Sequence, residues 1–260
     1  MKKEIYDQIQ NIEQTHWWYV ARRKIIFDWV LRILGDYPIP RVLDIGCGTG
    51  FNIQYLHTYG YEQVTGLDFS AEAMGFCRSR HLAGLVCSDG ARPSFCTESF
   101  DVVMALDLIE HLEDDVQGLY ELIRLLRPNG SLIIFTPAFN FLWGLQDEVG
   151  HHYRRYTAAE LQQKLKAVGL SICKLTYANT FLFPFIWAGR TALRLSGNKI
   201  QATSENDLHP GWSNALLQTI FAAERPLLRY VNFPFGVSLL CIAKKSSPGR
   251  LSKTGNGLSL

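Results

Sequence analysis

The chain contains no Cys-x-x-Cys pair. Its six cysteines, Cys47, Cys77, Cys87, Cys96, Cys173 and Cys241, stand singly, so neither a zinc cluster nor a dithiol redox motif is written at short spacing. Most lie in apolar strings, where free cysteine packs as a small hydrophobe, and that usage suits a reducing cytoplasm. Charge of one sign is also missing. The 26 basic and 24 acidic residues leave a net charge of +2, which gives no global field for nucleic acid. No run of about 18 apolar residues occurs, so no membrane-spanning helix is expected. Lys2 and Lys3 have no apolar stretch behind them, unlike a signal peptide. There is no internal repeat. What is present is 260 residues with 47% hydrophobic content, enough for one large α/β domain with an elaboration or for two small domains.

The densest local signal is Arg41-Val-Leu-Asp44-Ile-Gly46-Cys47-Gly48-Thr-Gly50. Val42, Leu43 and Ile45 suit a buried strand. Glycine at three alternate positions lets the backbone turn sharply and meet a ligand with no Cβ in the way. Phe51 to Leu56 then reads as a helix start. Strand, glycine turn and helix open a nucleotide-type site, at the strand end where open α/β sheets bind ligands. The third glycine arrives one place too early for the dinucleotide fingerprint, and Phe51 stands where that fingerprint needs glycine. Asp44, just before the turn, would repel a pyrophosphate and suits a cationic ligand.

Asp44, Gly46, Gly48 and Gly50 resemble motif I of the class I S-adenosylmethionine-dependent methyltransferases. That cofactor carries a sulfonium and an ammonium group. The resemblance extends over residues 41–177 and the last strand, and further residues take roles from it. Asp68 ends the strand Val64–Asp68, where an acid can accept both hydroxyls of a ribose; the resemblance gives it the adenosine ribose. Ser70 serves the following helix as a cap, and Phe69 lies against the adenine. Asp89 resembles the acid that accepts the adenine amino group, with the Gly90 or Ala91 backbone N–H reading a ring nitrogen; Asp-Gly is equally a turn dipeptide. Phe100-Asp101-x-Val103, an apolar stretch and Glu110-His111-Leu112 match the family pattern around its fourth strand. Its end touches donor and acceptor in many members, which marks Leu106 and Asp107. With Cys47, these complete the expected cofactor set.

The N-terminal region, residues 4–34, reads as helical, with Ile5, Ile9, Ile12, Ile25, Ile26, Trp29, Val30 and Ile33 on apolar stripes. His16-Trp17-Trp18-Tyr19 and Arg22-Arg23 interrupt them. Trp17 and Trp18 either pack this helix on the domain or line a lid over the substrate site, where Arg22 or Arg23 meets an anion. The segment resembles the N-terminal helix of a bacterial methyltransferase subgroup linked with cell-surface saccharide or lipid metabolism. His111 is either a general base, by its unperturbed pKa near 6.5, or a structural hydrogen-bonding group.

Asp114-Asp115 open a helix with Leu119, Leu122, Ile123 and Leu126 on its buried side. Arg127-Pro-Asn-Gly130 stops it, and Ser131–Pro137 is the fifth strand. The loop 138–157 gathers Trp143, Asp147, Glu148, His151, His152, Tyr153, Arg154 and Arg155. Adjacent histidines rarely share one ion, so no metal is expected. His151 or His152 reads as a base, and Arg154 and Arg155 as phosphate or carboxylate readers beside Tyr153, or the loop is simply solvated and salt-bridged. Thr157-Ala-Ala-Glu160 is a capping box whose helix ends at Gly169. Leu170–Tyr177 is a sixth strand and Phe235–Ala243 the last. The resemblance puts that last strand antiparallel between the fifth and sixth.

The expected fold is therefore a Rossmann-like, mostly parallel seven-stranded sheet with helices on both faces. Residues 1–40 form a helical lid, 41–180 the cofactor core and 181–234 a helical insertion. Residues 235–245 give the last strand, and 246–260 a disordered tail. Within the insertion, Leu195 to Pro210 reads as a polar linker, and Pro226 must kink or restart the last helix. The helices 181–234 cover the substrate or dock on a membrane surface. The expected activity is methyl transfer from S-adenosylmethionine to an oxygen, less readily nitrogen or carbon, of a small-molecule, glycan or lipid-like acceptor in the cytoplasm, without nucleic acid. A nicotinamide-dependent reductase and a membrane-associated accessory protein are the rivals.

Overall fold

The structure, a computed structural model, describes residues 3–196 and 211–246. Seven strands, β1 (Val42–Ile45), β2 (Val64–Asp68), β3 (Leu85–Cys87), β4 (Phe100–Leu106), β5 (Leu126–Pro137), β6 (Leu170–Ala178) and β7 (Ser238–Lys245), lie in the order β3-β2-β1-β4-β5-β7-β6. The first five are parallel, while β7 runs antiparallel to both β5 and β6. This is the expected Rossmann-like sheet, with its last strand where the resemblance put it. Strand order reverses between β1 and β4, and a crevice opens there at the carboxyl ends of the strands.

The helices are α1 (Lys3–Ile12), α2 (Trp17–Leu34), α3 (Phe51–His57), α4 (Ala71–Ser79), α5 (Asp115–Leu125), α6 (Leu145–Gly150), α7 (Ala158–Ala167), α8 (Phe183–Ser196), α9 (Gly211–Ala222) and α10 (Glu224–Leu228). Successive strand residues point to opposite faces, and the sequence supplies apolar side chains to both. Val42, Met104, Ile133, Phe135 and Leu240 pack with α2, α3, α4 and α9. Leu43, Val103, Ala105, Ile134 and Leu239 pack with α5 and α7. All seven residues of β4 are buried, as a strand covered on both faces requires. Ile25, Ile26 and Val30 of α2 are fully enclosed; burial of this kind stabilises by about 1.5–3 kcal/mol per aliphatic side chain.

The continuous helical reading of 4–34 needs correction. The helix breaks at residues 13–16. His16 Nδ1 accepts the Trp18 N–H at 3.3 Å as an N-cap, and Arg23 Nη2 donates to the Glu13 carbonyl at 2.6 Å. The break thus has its own hydrogen bonds, which a hydrophobic stripe does not display. The last strand starts at Ser238 rather than Phe235, because the Phe235 carbonyl accepts the Thr180 hydroxyl at 2.7 Å. Pro226 does restart the chain: it is the third residue of α10, where a missing N–H costs nothing. Three cysteines are buried, but Cys87, Cys96 and Cys173 are exposed. The linker residues 197–210 and the tail 247–260 lie outside the described residues. Among the described residues no helix is long and apolar enough to cross a membrane.

Candidate functional site

The glycine turn after β1 takes its shape from positive φ angles of 76°, 54° and 78° at Gly46, Gly48 and Gly50, which L side chains rarely adopt. Gly50 is also sterically obligatory. A Cβ there would stand 2.6 Å from Leu82 Cδ1 and 2.8 Å from Cys77 Sγ. At Gly48 a Cβ would meet nothing, so the turn leaves open space on that side. The Gly48 N–H donates to Asp68 Oδ2 at 2.9 Å, and the Ser70 N–H to Asp68 Oδ1 at 3.0 Å. Asp68 therefore ties the ends of β1 and β2 together, and as an acceptor-only group with about four lone-pair sites it still has capacity for ligand hydroxyls. Phe69 is 65% exposed beside it. Asp89 is exposed and accepts the Ala91 N–H at 2.8 Å, while Gly90 packs near Ile45 and Leu108.

Asp44 is the clearest sign of a cationic ligand. Its carboxylate is buried, Oδ2 has no hydrogen-bond partner, and burial pushes its pKa up to about 7, against the opposing pull of Asn52 and Arg22. A buried carboxylate oxygen left unpaired is costly, and a ligand ammonium or sulfonium compensates it. Because the raised pKa leaves Asp44 protonated below about 7, cation affinity should rise with pH. We expect S-adenosylmethionine to bind roughly tenfold tighter at pH 7 than at pH 5.5. Calorimetric titration of an Asp44→Asn variant should show this slope gone; an unchanged slope would reject Asp44 as its source.

The N-terminal helices close over this turn. Glu13 Oε2 accepts the Thr49 hydroxyl at 2.6 Å, Glu13 Oε1 pairs with Arg80, and the Tyr6 hydroxyl reaches Asp68 Oδ1 at 3.4 Å. Glu13, Tyr19, Arg22, Asn52, Leu106 and Asp107 help line an open cleft of about 100 Å³. Trp17 is buried against Phe221, whereas Trp18 is partly buried, edge-on to Phe135. Arg22 lies between the Trp18 and Phe135 rings and pairs with Asp107 Oδ2 at 2.6 Å. Arg23 is bound to the Glu13 carbonyl and sits over Phe51. Thus Arg22 and Arg23 line the cleft, Trp18 adjoins it through its contact with Arg22, and Trp17 packs away from it against Phe221.

Past β4 the chain turns through Asp107, whose φ is 55°. A short 3₁₀ turn, Ile109–His111, follows. Burial raises the Asp107 pKa, with Arg22 and His152 opposing. Glu110 is fully buried, accepts the Thr136 hydroxyl at 3.0 Å through Oε2, and is pushed well above the usual carboxylate range by burial and by Asp107. His111 meets His152 edge to face, ring centres 4.5 Å apart. Burial and that neighbour lower its pKa to about 4.

The 138–157 loop divides. His152 comes to His111, and its Nδ1 is 2.9 Å from Asp147 Oδ1. His151 is exposed and takes a left-handed C-cap position on α6. Arg155, expected to read an anion, is instead buried in a two-point pair with Asp147, 2.8 Å at each contact. Arg154 pairs with Asp115 and donates to the Glu113 carbonyl. Tyr153 is 57% exposed, its N–H bound to the Glu110 carbonyl. The arginines of this loop thus answer the protein's own carboxylates.

Sequence reasoning missed Tyr6, Glu13, Asn52 and Arg80. Glu13 had a readable signal, an acid on an otherwise apolar stripe; the others depend on how α1 and α4 meet over the turn.

Residues 43–134 match the family model described as "Methyltransferase domain". A probable S-adenosylmethionine-dependent methyltransferase of Mycolicibacterium smegmatis is 27% identical over 175 residues, covering 63% of each chain. The chain thus spans less than two thirds of that relative. The ubiquinone biosynthesis O-methyltransferase of Aeromonas salmonicida is 27% identical over 164 residues, 56% of this chain and 68% of that one. Among solved structures, the complex of the Haloferax volcanii Trm112 methyltransferase activator with its methyltransferase contains a chain that matches with a TM-score of 0.59 at 19% identity, covering 94% of this chain and 95% of that one; this likeness concerns the fold. With the sheet order, the glycine turn and an unpartnered Asp44 Oδ2 in place, residues 43–134 match a methyltransferase domain of the class I fold, the class that takes S-adenosylmethionine as its cofactor.

Proposed function

We propose that the chain transfers a methyl group from S-adenosylmethionine to an oxygen of a small-molecule, glycan or lipid-like acceptor. The observation that carries this reading is the orphaned, buried Asp44 oxygen beside a turn with open space at Gly48. When bound, the cofactor supplies an electrophilic methyl carbon on a sulfonium. Asp44 would balance its positive charge, Asp68 take the ribose hydroxyls, and Asp89 with the Gly90–Ala91 backbone face the base, with Phe69 against it. The links from Glu13 to Thr49 and Arg80 hold the lid against the turn and keep water from the cleft.

The acceptor would enter beside Trp18, Arg22 and Asp107. His152 lies near enough to Asp107 to act on its carboxyl, which supports oxygen as the methylated atom. The relative named for O-methyl transfer agrees with it. Phe185, Trp187 and Trp212 are exposed on α8 and α9, which supports an acceptor with an apolar portion. Parallel calorimetric titrations with S-adenosylmethionine, S-adenosylhomocysteine and NADH test the reading. Micromolar binding of both sulfur nucleotides without NADH is expected. Binding of NADH alone would replace the reading with a nicotinamide-dependent one.

A further inference from the structure

Glu110, His111 and His152 meet although the two histidines stand 41 positions apart. A carboxylate oxygen of Glu110 and one ring nitrogen of each histidine lie within 4.8 Å of one another. Two of the three are oriented from behind by hydrogen bonds. The Thr136 hydroxyl holds Glu110 Oε2, and Oε1 is buried with no partner. Asp147 Oδ1 holds His152 Nδ1, which leaves Nε2 to face the cluster. The His111 ring packs beside the Gly150 backbone and edge to face with His152. Asp147 is itself clamped by Arg155 and the Gly144 N–H. Two imidazoles, one carboxylate and a carboxylate behind one imidazole are the arrangement by which proteins fix metal ligands.

We propose that Glu110, His111 and His152 bind one divalent transition-metal ion of the zinc or manganese type, and that its open coordination position takes an oxygen of the methyl acceptor. Nitrogen and carboxylate donors suit such ions, and three protein ligands leave room for a substrate or water. Bonds of about 2.0–2.2 Å bring tetrahedral ligand atoms to roughly 3.3 Å apart, a contraction that modest ring rotations supply. Asp107 leads from the donor cleft directly into the Ile109–His111 turn, so the ion would sit on the acceptor side. The acceptor part of this inference rests on the methyltransferase reading, while the metal site itself does not. The histidines then serve the acceptor oxygen through an ion rather than as bases.

Gly150 offers a probe that keeps all three ligand residues and crowds one of them. A Cβ there would stand 2.8 Å from His152 Nε2 and 3.7 Å from His111 Cε1. The experiment takes the full chain, stripped with a chelator, and titrates it with Zn²⁺ or Mn²⁺ against a chromophoric competitor. S-adenosylmethionine binding is measured on each sample. The wild type should bind one ion per chain. His152→Gln and Glu110→Gln should weaken it at least ~100-fold and Gly150→Ala about tenfold, each with donor affinity kept. No stoichiometric ion in a wild type that binds the donor would overturn the metal site and leave the methyltransferase reading standing. Equal metal affinity in all variants would overturn it too. Metal binding without donor binding would uphold the site and remove the methyltransferase reading instead.

Discussion

Replacing Arg155 with alanine should destabilise the fold by about 3–5 kcal/mol, the usual result of removing one partner from a buried ion pair. Arg155 Nε and Nη2 each donate to an Asp147 oxygen at 2.8 Å, and Nη1 donates to the Ala138 carbonyl at 3.1 Å. Asp147 is fully buried. Burial alone would raise its pKa, yet His152 and Arg155 together hold it down to about 2. Without the guanidinium, a carboxylate would stay in the interior of α6 with His152 and the Gly144 N–H as its remaining partners. Urea unfolding measures the effect. A loss below about 1 kcal/mol, the range of exposed pairs, would show that the pair does not hold the loop.

An Asp68→Ala chain should lose S-adenosylmethionine affinity by at least about 100-fold, since each hydrogen bond to a charged group contributes ~1.5–3 kcal/mol and a ribose offers two. The tertiary structure adds a second reason. Asp68 also receives the Gly48 and Ser70 N–H groups, so its removal releases the turn that forms the donor site. Calorimetry on the variant, with circular dichroism to confirm folding, is the check. A folded variant with wild-type affinity would reject the ribose assignment. Asp68→Asn separates the two contributions, because an amide oxygen keeps one acceptor for the backbone and loses the charge.

Much of the sheet was legible in the chain. Val42, Leu43 and Ile45, then Phe100–Leu106, then Leu132–Phe135 are short apolar runs bounded by turn residues, and a strand covered on both faces needs that composition. The capping box at Thr157 and Glu160 formed as its spacing required, with both halves present. The N-terminal region was legible only as amphipathic. Whether Trp17 faced the core or the cleft depended on the break at residues 13–16. That break is held by Arg23 and by Asn214 of α9, whose side chain accepts the Trp17 N–H at 2.7 Å. A partner about two hundred residues away leaves no periodic trace. The same limit applied to Arg154 and Arg155, whose guanidinium groups read as free until Asp115 and Asp147 came into place.

The sequence by itself determined the sheet, the glycine turn and the order of acids at strand ends. Those features follow from local rules of side-chain period, backbone freedom and turn chemistry, which act over a few residues. Only the tertiary structure decided which charged groups face the site and which neutralise one another, and that His152 meets His111 and Glu110 rather than its neighbour His151. Such pairings form between segments that hydrophobic packing brings together. Inside the fold an unpaired charge is costly, so Arg154 and Arg155 settle on the carboxylates that the packing supplies.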